Sequence, residues 1–77
     1  MKEMEKLVGR RFDSFKELGT AIEKETDRKL NGIVLSQSDR IPGTDFMIDY
    51  EFADDIGNVR TMFYIADNAN RIYVTEV

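Results

Sequence analysis

Between Thr44 and Asp55 the chain reads Thr-Asp-Phe-Met-Ile-Asp-Tyr-Glu-Phe-Ala-Asp-Asp, an alternation in kind with a period of two. In an extended strand Phe46, Ile48, Tyr50 and Phe52 fall on one face, and Asp45, Met47, Asp49, Glu51 and Ala53 fall on the other. A helix would scatter both sets. The segment therefore predicts a half-buried strand with a carboxylate-rich solvent face. Five acids stand between positions 45 and 55, with no Lys or Arg among them.

One such strand needs partners, and the rest of the chain supplies them. Ser14-Phe15-Lys16-Glu17 matches the Ser-x-x-Glu capping box, so a helix is expected over residues 14–30. Phe15, Leu18, Ala21, Ile22 and Leu30 form its apolar stripe, while Lys16, Glu17, Glu23, Lys24, Asp27 and Arg28 cover the remaining surface. Asn31-Gly32 supplies residues tolerant of positive φ beyond its end. Gly19 interrupts the stripe and reads as a close-packing site against the sheet. After Gly32 the pattern changes to short apolar runs separated by turns. Strands are expected at residues 33–36, 44–54, 59–66 and 71–77, joined by a turn-rich loop at 39–43 and tight turns at 55–58 and 67–70.

The sum is an α+β fold: one helix packed across a four-stranded antiparallel meander, in the order α-β-β-β-β. Residues 1–11 read as a charged N-terminal arm with a short helical turn, 14–30 as the helix and 32–77 as the sheet. All 77 residues form a single domain, because a chain this short supports one modest core. Tight turns imply that Tyr50 faces Phe63, Ile48 faces Ile65 and Phe63 faces Val74. That register assembles an inner face from Phe46, Ile48, Tyr50, Phe52, Phe63, Ile65, Ile72 and Val74. It leaves Arg60, Met62, Tyr64, Tyr73, Thr75 and Val77 outside beside the acids.

Composition narrows the chemistry. The chain has neither Cys nor His, so disulfides and the common zinc, iron–sulfur and blue-copper ligand sets are excluded, and the usual nucleophile–histidine pairs are not available. No catalytic, cofactor-binding or metal-ligating residue is expected. Asp67-Asn68-Ala69-Asn70 has the oxygens of a calcium loop but lacks its central glycine and terminal glutamate, and reads as a turn. The first seven residues alternate Lys and Glu without an apolar core, and no apolar run approaches a bilayer span, so the expectation is a cytoplasmic protein without membrane contact.

Charge is uneven. Residues 1–31 hold eight basic and seven acidic residues, a net of +1, whereas residues 32–77 hold three basic and eight acidic, a net of −5. Such a field attracts basic partners and repels polyanions. A small basic cluster of Lys6, Arg10, Arg11 and Lys16 does not offset the overall charge of −4, so direct nucleic-acid binding is not expected.

These observations point to a small acidic, non-catalytic interaction module, an adaptor, subunit or inhibitor. It would bind a basic protein partner through Asp45, Asp49, Glu51, Asp54, Asp55, Met62, Tyr64 and Tyr73 on the outer sheet face. A sharper alternative is an inhibitor of mobile-element type, whose carboxylate ladder imitates a phosphate backbone and blocks a nucleic-acid-binding protein. A small-ligand-binding domain or small enzyme is the further alternative. The terminal strand Arg71 to Val77, at the sheet edge, also suggests a homodimer formed by edge pairing. The capping box yields the first testable expectation: Ser14→Ala should lower stability in chemical denaturation by about 0.5–2 kcal/mol.

Overall fold

A computed structural model describes residues 3–37 and 46–77. The expected loop at 39–43 and the first two residues of the expected strand at 44–54 lie outside that set. The described elements are a 3₁₀ turn at Glu3–Leu7, strand β1 at Arg11–Phe12, helix α1 at Phe15–Thr26, and strands β2 at Leu30–Gln37, β3 at Phe46–Phe52, β4 at Arg60–Ala66 and β5 at Ile72–Glu76.

Helix α1 begins where the capping box places it. Ser14 is extended (φ −154°, ψ 163°) and its hydroxyl accepts a hydrogen bond from the Glu17 N–H at 3.2 Å. The helix ends four residues before Leu30, because Asp27 adopts the left-handed conformation (φ 54°, ψ 36°) expected of the later Asn-Gly pair. In the last turn the Thr26 hydroxyl donates to the Ile22 carbonyl at 2.7 Å. Leu30 then joins β2, and its N–H donates to the Glu23 carboxylate at 2.9 Å. Leu18, Ala21 and Ile22 are buried, with Phe15 and Leu30 packed at the margin.

The sheet has five antiparallel strands in the order β1-β5-β4-β3-β2, not four. The additional strand comes from the segment read as an arm. Gly9, at φ 86°, turns the chain out of the 3₁₀ turn, and Arg11 and Phe12 pair with Tyr73 and Ile72. The Gly9 N–H donates to the Val74 carbonyl at 2.8 Å, and the Val74 N–H to the Arg10 carbonyl at 3.2 Å. Leu7 is fully buried in the core and Met4 packs against it. The terminal strand is therefore paired over Ile72–Val74 and is not a free edge there. Helix α1 touches β1 and β2, the two outermost strands, and so closes the concave side of the curled sheet.

Register is where expectation and structure diverge. Strand β3 presents Ile48, Tyr50 and Phe52 to the core as its alternation requires, and Ile72 and Val74 of β5 join them. Strand β4 is turned over. Ile48 lies opposite Met62, Phe46 opposite Tyr64 and Tyr50 opposite Arg60, a displacement of three positions from the expected pairing. An odd displacement exchanges the two faces of a strand. Met62 is fully buried, and Tyr64 packs edge-on against Phe15 and stacks on Phe46. Phe63 and Ile65 move to the outer face.

The cause lies in residues 53–59. Instead of one tight turn, two turns follow in succession. The Asp55 N–H donates to the Phe52 carbonyl at 3.1 Å and the Asn58 N–H to the Asp55 carbonyl at 3.3 Å, with Gly57 at φ 93°. The longer connection consumes residues that a tight hairpin would have paired. The β4–β5 ladder is also displaced, by one position, from the expected pairing of Phe63 with Val74: Tyr64 meets Val74 and Ile65 meets Tyr73, with an irregularity between Phe63 and Tyr64.

Two substitutions test this architecture. Met62→Ala should cost about 2–5 kcal/mol in urea denaturation, and Phe63→Ala distinctly less; the reverse order would restore the tight-turn register. At Gly19 a Cβ would lie 3.5 Å from the Ile33 Cδ1 and 3.7 Å from the Leu30 Cδ1, ordinary contact with flexible side-chain ends. The close-packing role expected of this glycine is thus not demanding, and Gly19→Ala should stabilise the protein by about 0.4–1 kcal/mol. A loss of stability would show that the added methyl group is not accommodated at these contacts.

Candidate protein-binding face of the sheet

The outer face is assembled from alternate residues of β2 to β5. Met47 lies opposite Phe63, and Ile65 opposite Tyr73, so two directly opposed apolar pairs stand on neighbouring strands. Val34, which is 64% exposed, lies opposite Asp49, and Asp49 in turn opposite Thr61, whose hydroxyl donates to the Asp49 carboxylate at 2.8 Å. Met47, Asp49, Phe63, Ile65 and Tyr73 are half-buried by their neighbours on the pleated surface. The Arg11 guanidinium sits 4.4 Å from the Tyr73 ring centre and 3.1 Å from the Asp67 carboxylate, closing one flank of the band. Among the described residues no helix or strand packs over this face as a second layer.

The residues expected to bind a partner are thus only partly brought together. Tyr73 and Asp49 occupy the outer face, while Met62 and Tyr64 belong to the core and are withdrawn from the site. Arg60, also expected outside, reaches over the Phe52 ring at 5.2 Å. Asp45 lies outside the described residues. Met47 stands on the outer face, where the alternation of β3 puts it, and it is joined there by Phe63 and Ile65, two residues expected in the core. The sequence 60–66, Arg-Thr-Met-Phe-Tyr-Ile-Ala, is apolar on both of its period-two faces, so alternation alone cannot choose between them.

The remaining acids are engaged within the chain. Asp54 accepts from the Arg28 guanidinium at 2.8 Å, and Asp55 from Arg60 at 3.0 Å and the Asn58 amide at 2.9 Å. Glu51 accepts from the Gly57 N–H at 2.7 Å and from the Asn31 amide at 2.6 Å. Asp67, 12% exposed, accepts from the Ala69 and Arg71 N–H groups, both at 2.9 Å. Each carboxyl is held below its ordinary pKa: Glu51 by the Gly57 N–H and then Asn31, Asp54 by Arg28, Asp55 by Asn58 and then Arg60, and Asp67 by the Arg71 and Ala69 N–H groups. Burial pushes the Tyr50 hydroxyl up against the opposing pull of Arg60 and Arg28, and burial raises Tyr64.

Two arginines of the basic cluster are answered in the same way. A groove of about 440 Å³ between β1 and α1 gathers Arg10, Arg11, Lys16 and Lys24. Within it Arg10 lies 3.3 Å from Glu25, and Arg11 is bound to Asp67. Among the described residues no group of three His, Cys, Asp or Glu side chains is placed to hold a metal ion, and no helix is long and apolar enough to cross a membrane. Compared with known proteins, the chain matches no family model, no curated protein and no solved structure.

The lowered carboxyl pKa values carry a definite sign. The unfolded chain binds protons more readily than the folded one at these positions, so their contribution is complete above the ordinary carboxylate range and is lost as the pH falls below about 4. Urea denaturation from pH 7 downward should show stability declining through that window, and Asp54→Asn should flatten the decline. A flat profile to pH 3 would mean that these contacts are fully screened by solvent.

Proposed function

We propose that this protein is a non-catalytic protein-interaction module, an adaptor, subunit or inhibitor, whose partner docks on the outer face of the sheet. The observation that carries the proposal is the pair of directly opposed apolar couples, Met47 with Phe63 and Ile65 with Tyr73, on a face over which no described element packs. Tyr and Met are enriched at the centres of protein interfaces, where a few aromatic anchors supply most of the binding energy. Asp49 at the margin and the net charge of −4 favour a partner whose apolar patch is bordered by Lys or Arg.

The same geometry gives less support to imitation of a phosphate backbone. A ladder for a basic partner needs carboxylates presented outward, and Asp54, Asp55 and Glu51 are turned to Arg28, Arg60, Asn31 and Gly57 of this chain. General acid catalysis at neutral pH calls for a raised carboxyl pKa, and the shifted carboxyls here all move down. The basic groove beside β1 is crossed by ion pairs, which leaves the outer face as the stronger surface.

The test compares binding by the parent, by an Ile65→Ser/Tyr73→Ala variant, and by a Lys24→Ala variant on the helix surface. A partner held by the parent and the helix variant, but weakened about tenfold or more by the sheet variant, supports the proposal. Asp49→Lys should slow association and reduce its salt dependence, whereas Tyr73→Ala should speed dissociation. Equal retention by all variants would remove the outer face as the working surface.

A further inference from the structure

The two edges of the sheet are managed differently. At one, β1 is two residues long, begins with Arg11 and follows Arg10, a short, charged edge that discourages further pairing. At the other, β2 runs for eight residues, Leu30–Gln37, with no charged residue and no proline. Among the described residues no strand pairs with its far side.

The composition of this edge has a second property. Read from Asn31 to Gln37, the strand is Asn-Gly-Ile-Val-Leu-Ser-Gln, a chemical palindrome about Val34. Ile33 and Leu35 are branched aliphatics, Gly32 and Ser36 are small, and Asn31 and Gln37 are amides. The faces follow the same symmetry. Ile33 and Leu35 stand opposite Tyr50 and Ile48 of β3, which are buried, while Gly32, Val34 and Ser36 stand opposite Glu51, Asp49 and Met47 of the outer face. The irregularity in the β2–β3 ladder lies between Leu30 and Gly32, so pairing with β3 is continuous from Gly32 to Gln37.

We infer that the protein pairs with a second copy of itself through β2, antiparallel, with the two-fold axis at Val34. Antiparallel self-pairing is reciprocal whatever the sequence, and centring it on Val34 sets like against like over the continuous part of the ladder: Ile33 meets Leu35, Gly32 meets Ser36, and Val34 meets itself. Residues directly opposite in an antiparallel pair share a face, so this register joins core-side positions to core-side positions and outer to outer. Two Val34 side chains, each 64% exposed in the single chain, come together at the separation of directly opposed Cβ atoms, about 5 Å. No like charges meet along the strand, since the segment carries none. An extended peptide from another protein would find the same backbone, whereas a second copy brings side chains that match this edge in size and carry no charge against it.

Sedimentation over a hundredfold concentration range reaching about 1 mM should show the parent passing from monomer to dimer, with a dissociation constant inside that range. Val34→Lys places two cations face to face and should weaken the dimer about tenfold or more, as should Val34→Glu. Mixing the Lys and Glu variants should restore association, because only this register sets position 34 against itself. The exposure of Val34 leaves both variants folded, which the dispersion of their NMR spectra checks. Independently of any variant, a mixture of isotope-labelled and unlabelled parent should give an intermolecular contact between Val34 methyl groups. A monomer throughout the range, a dimer indifferent to both substitutions, or intermolecular contacts without Val34 would each overturn the inference.

Discussion

The arrangement turns on one carboxylate. Glu51 accepts the Gly57 N–H from within the β3–β4 connection and the Asn31 amide from the bulge of β2, and so fastens three successive segments at one end of the sheet. With residue 57 tied back to residue 51, the connection is held as two successive turns in place of a tight hairpin. Arg60 then meets Tyr50, and the identity of every core and surface residue on β4 follows from that pairing. A side chain that alternation assigns to the solvent face therefore sets the composition of the buried one. This is a local hydrogen-bond geometry with a global consequence, because a strand has only two faces and an odd slip exchanges them.

Around that point the charges form a second layer of constraint. Arg28 and Arg60 approach the Phe52 ring, at 4.0 and 5.2 Å from its centre, while their guanidinium groups reach Asp54 and Asp55. The ring and the two acids share the same cations, so the loop is held over the end of the core by groups that are each partly wet. Individually such exposed pairs contribute little. Their effect is to fix where the loop lies, and that position withdraws carboxylates from any ladder along β3. At the opposite corner Asp67 ties Arg11 of β1 to the β4–β5 turn, which helps a strand of only two residues to persist.

The features legible in the sequence are those decided within a few residues. The helix start at Ser14, the buried set on β3, the inward Ile72 and Val74 and the antiparallel order all rest on local periodicity or capping, and they stand in the structure. What was not legible depends on turn geometry or on residues distant in sequence. The face of β4 is ambiguous because Met62 with Tyr64 and Phe63 with Ile65 are equally apolar, and the arbiter is the double turn at 53–59, which the Glu51–Gly57 hydrogen bond ties back to β3. Strand β1 is too short to show alternation, and its pairing with β5 joins residues some 60 positions apart. The site inherits both problems: Tyr73 and Asp49 could be placed from their own strands, whereas Phe63 and Ile65 could not.

Strand order links the two proposed surfaces. The outer band runs across β3, β4 and β5, and Val34 of β2 adjoins it through Asp49, so the pairing edge and the docking face meet without sharing their central residues. Pairing through β2 would join two sheets into one of ten strands with both outer bands on the same side. The two copies of β4 would then be separated by five strand spacings, about 24 Å along a flat sheet and less where it curls. A partner with two matching patches at that separation would gain from effective concentration with no new contact, and a partner with one patch would gain nothing. The two surfaces are energetically separable for this reason. Weakening the β2 pair would lower the affinity of a bivalent partner alone, whereas weakening the Ile65–Tyr73 couple would lower that of either kind.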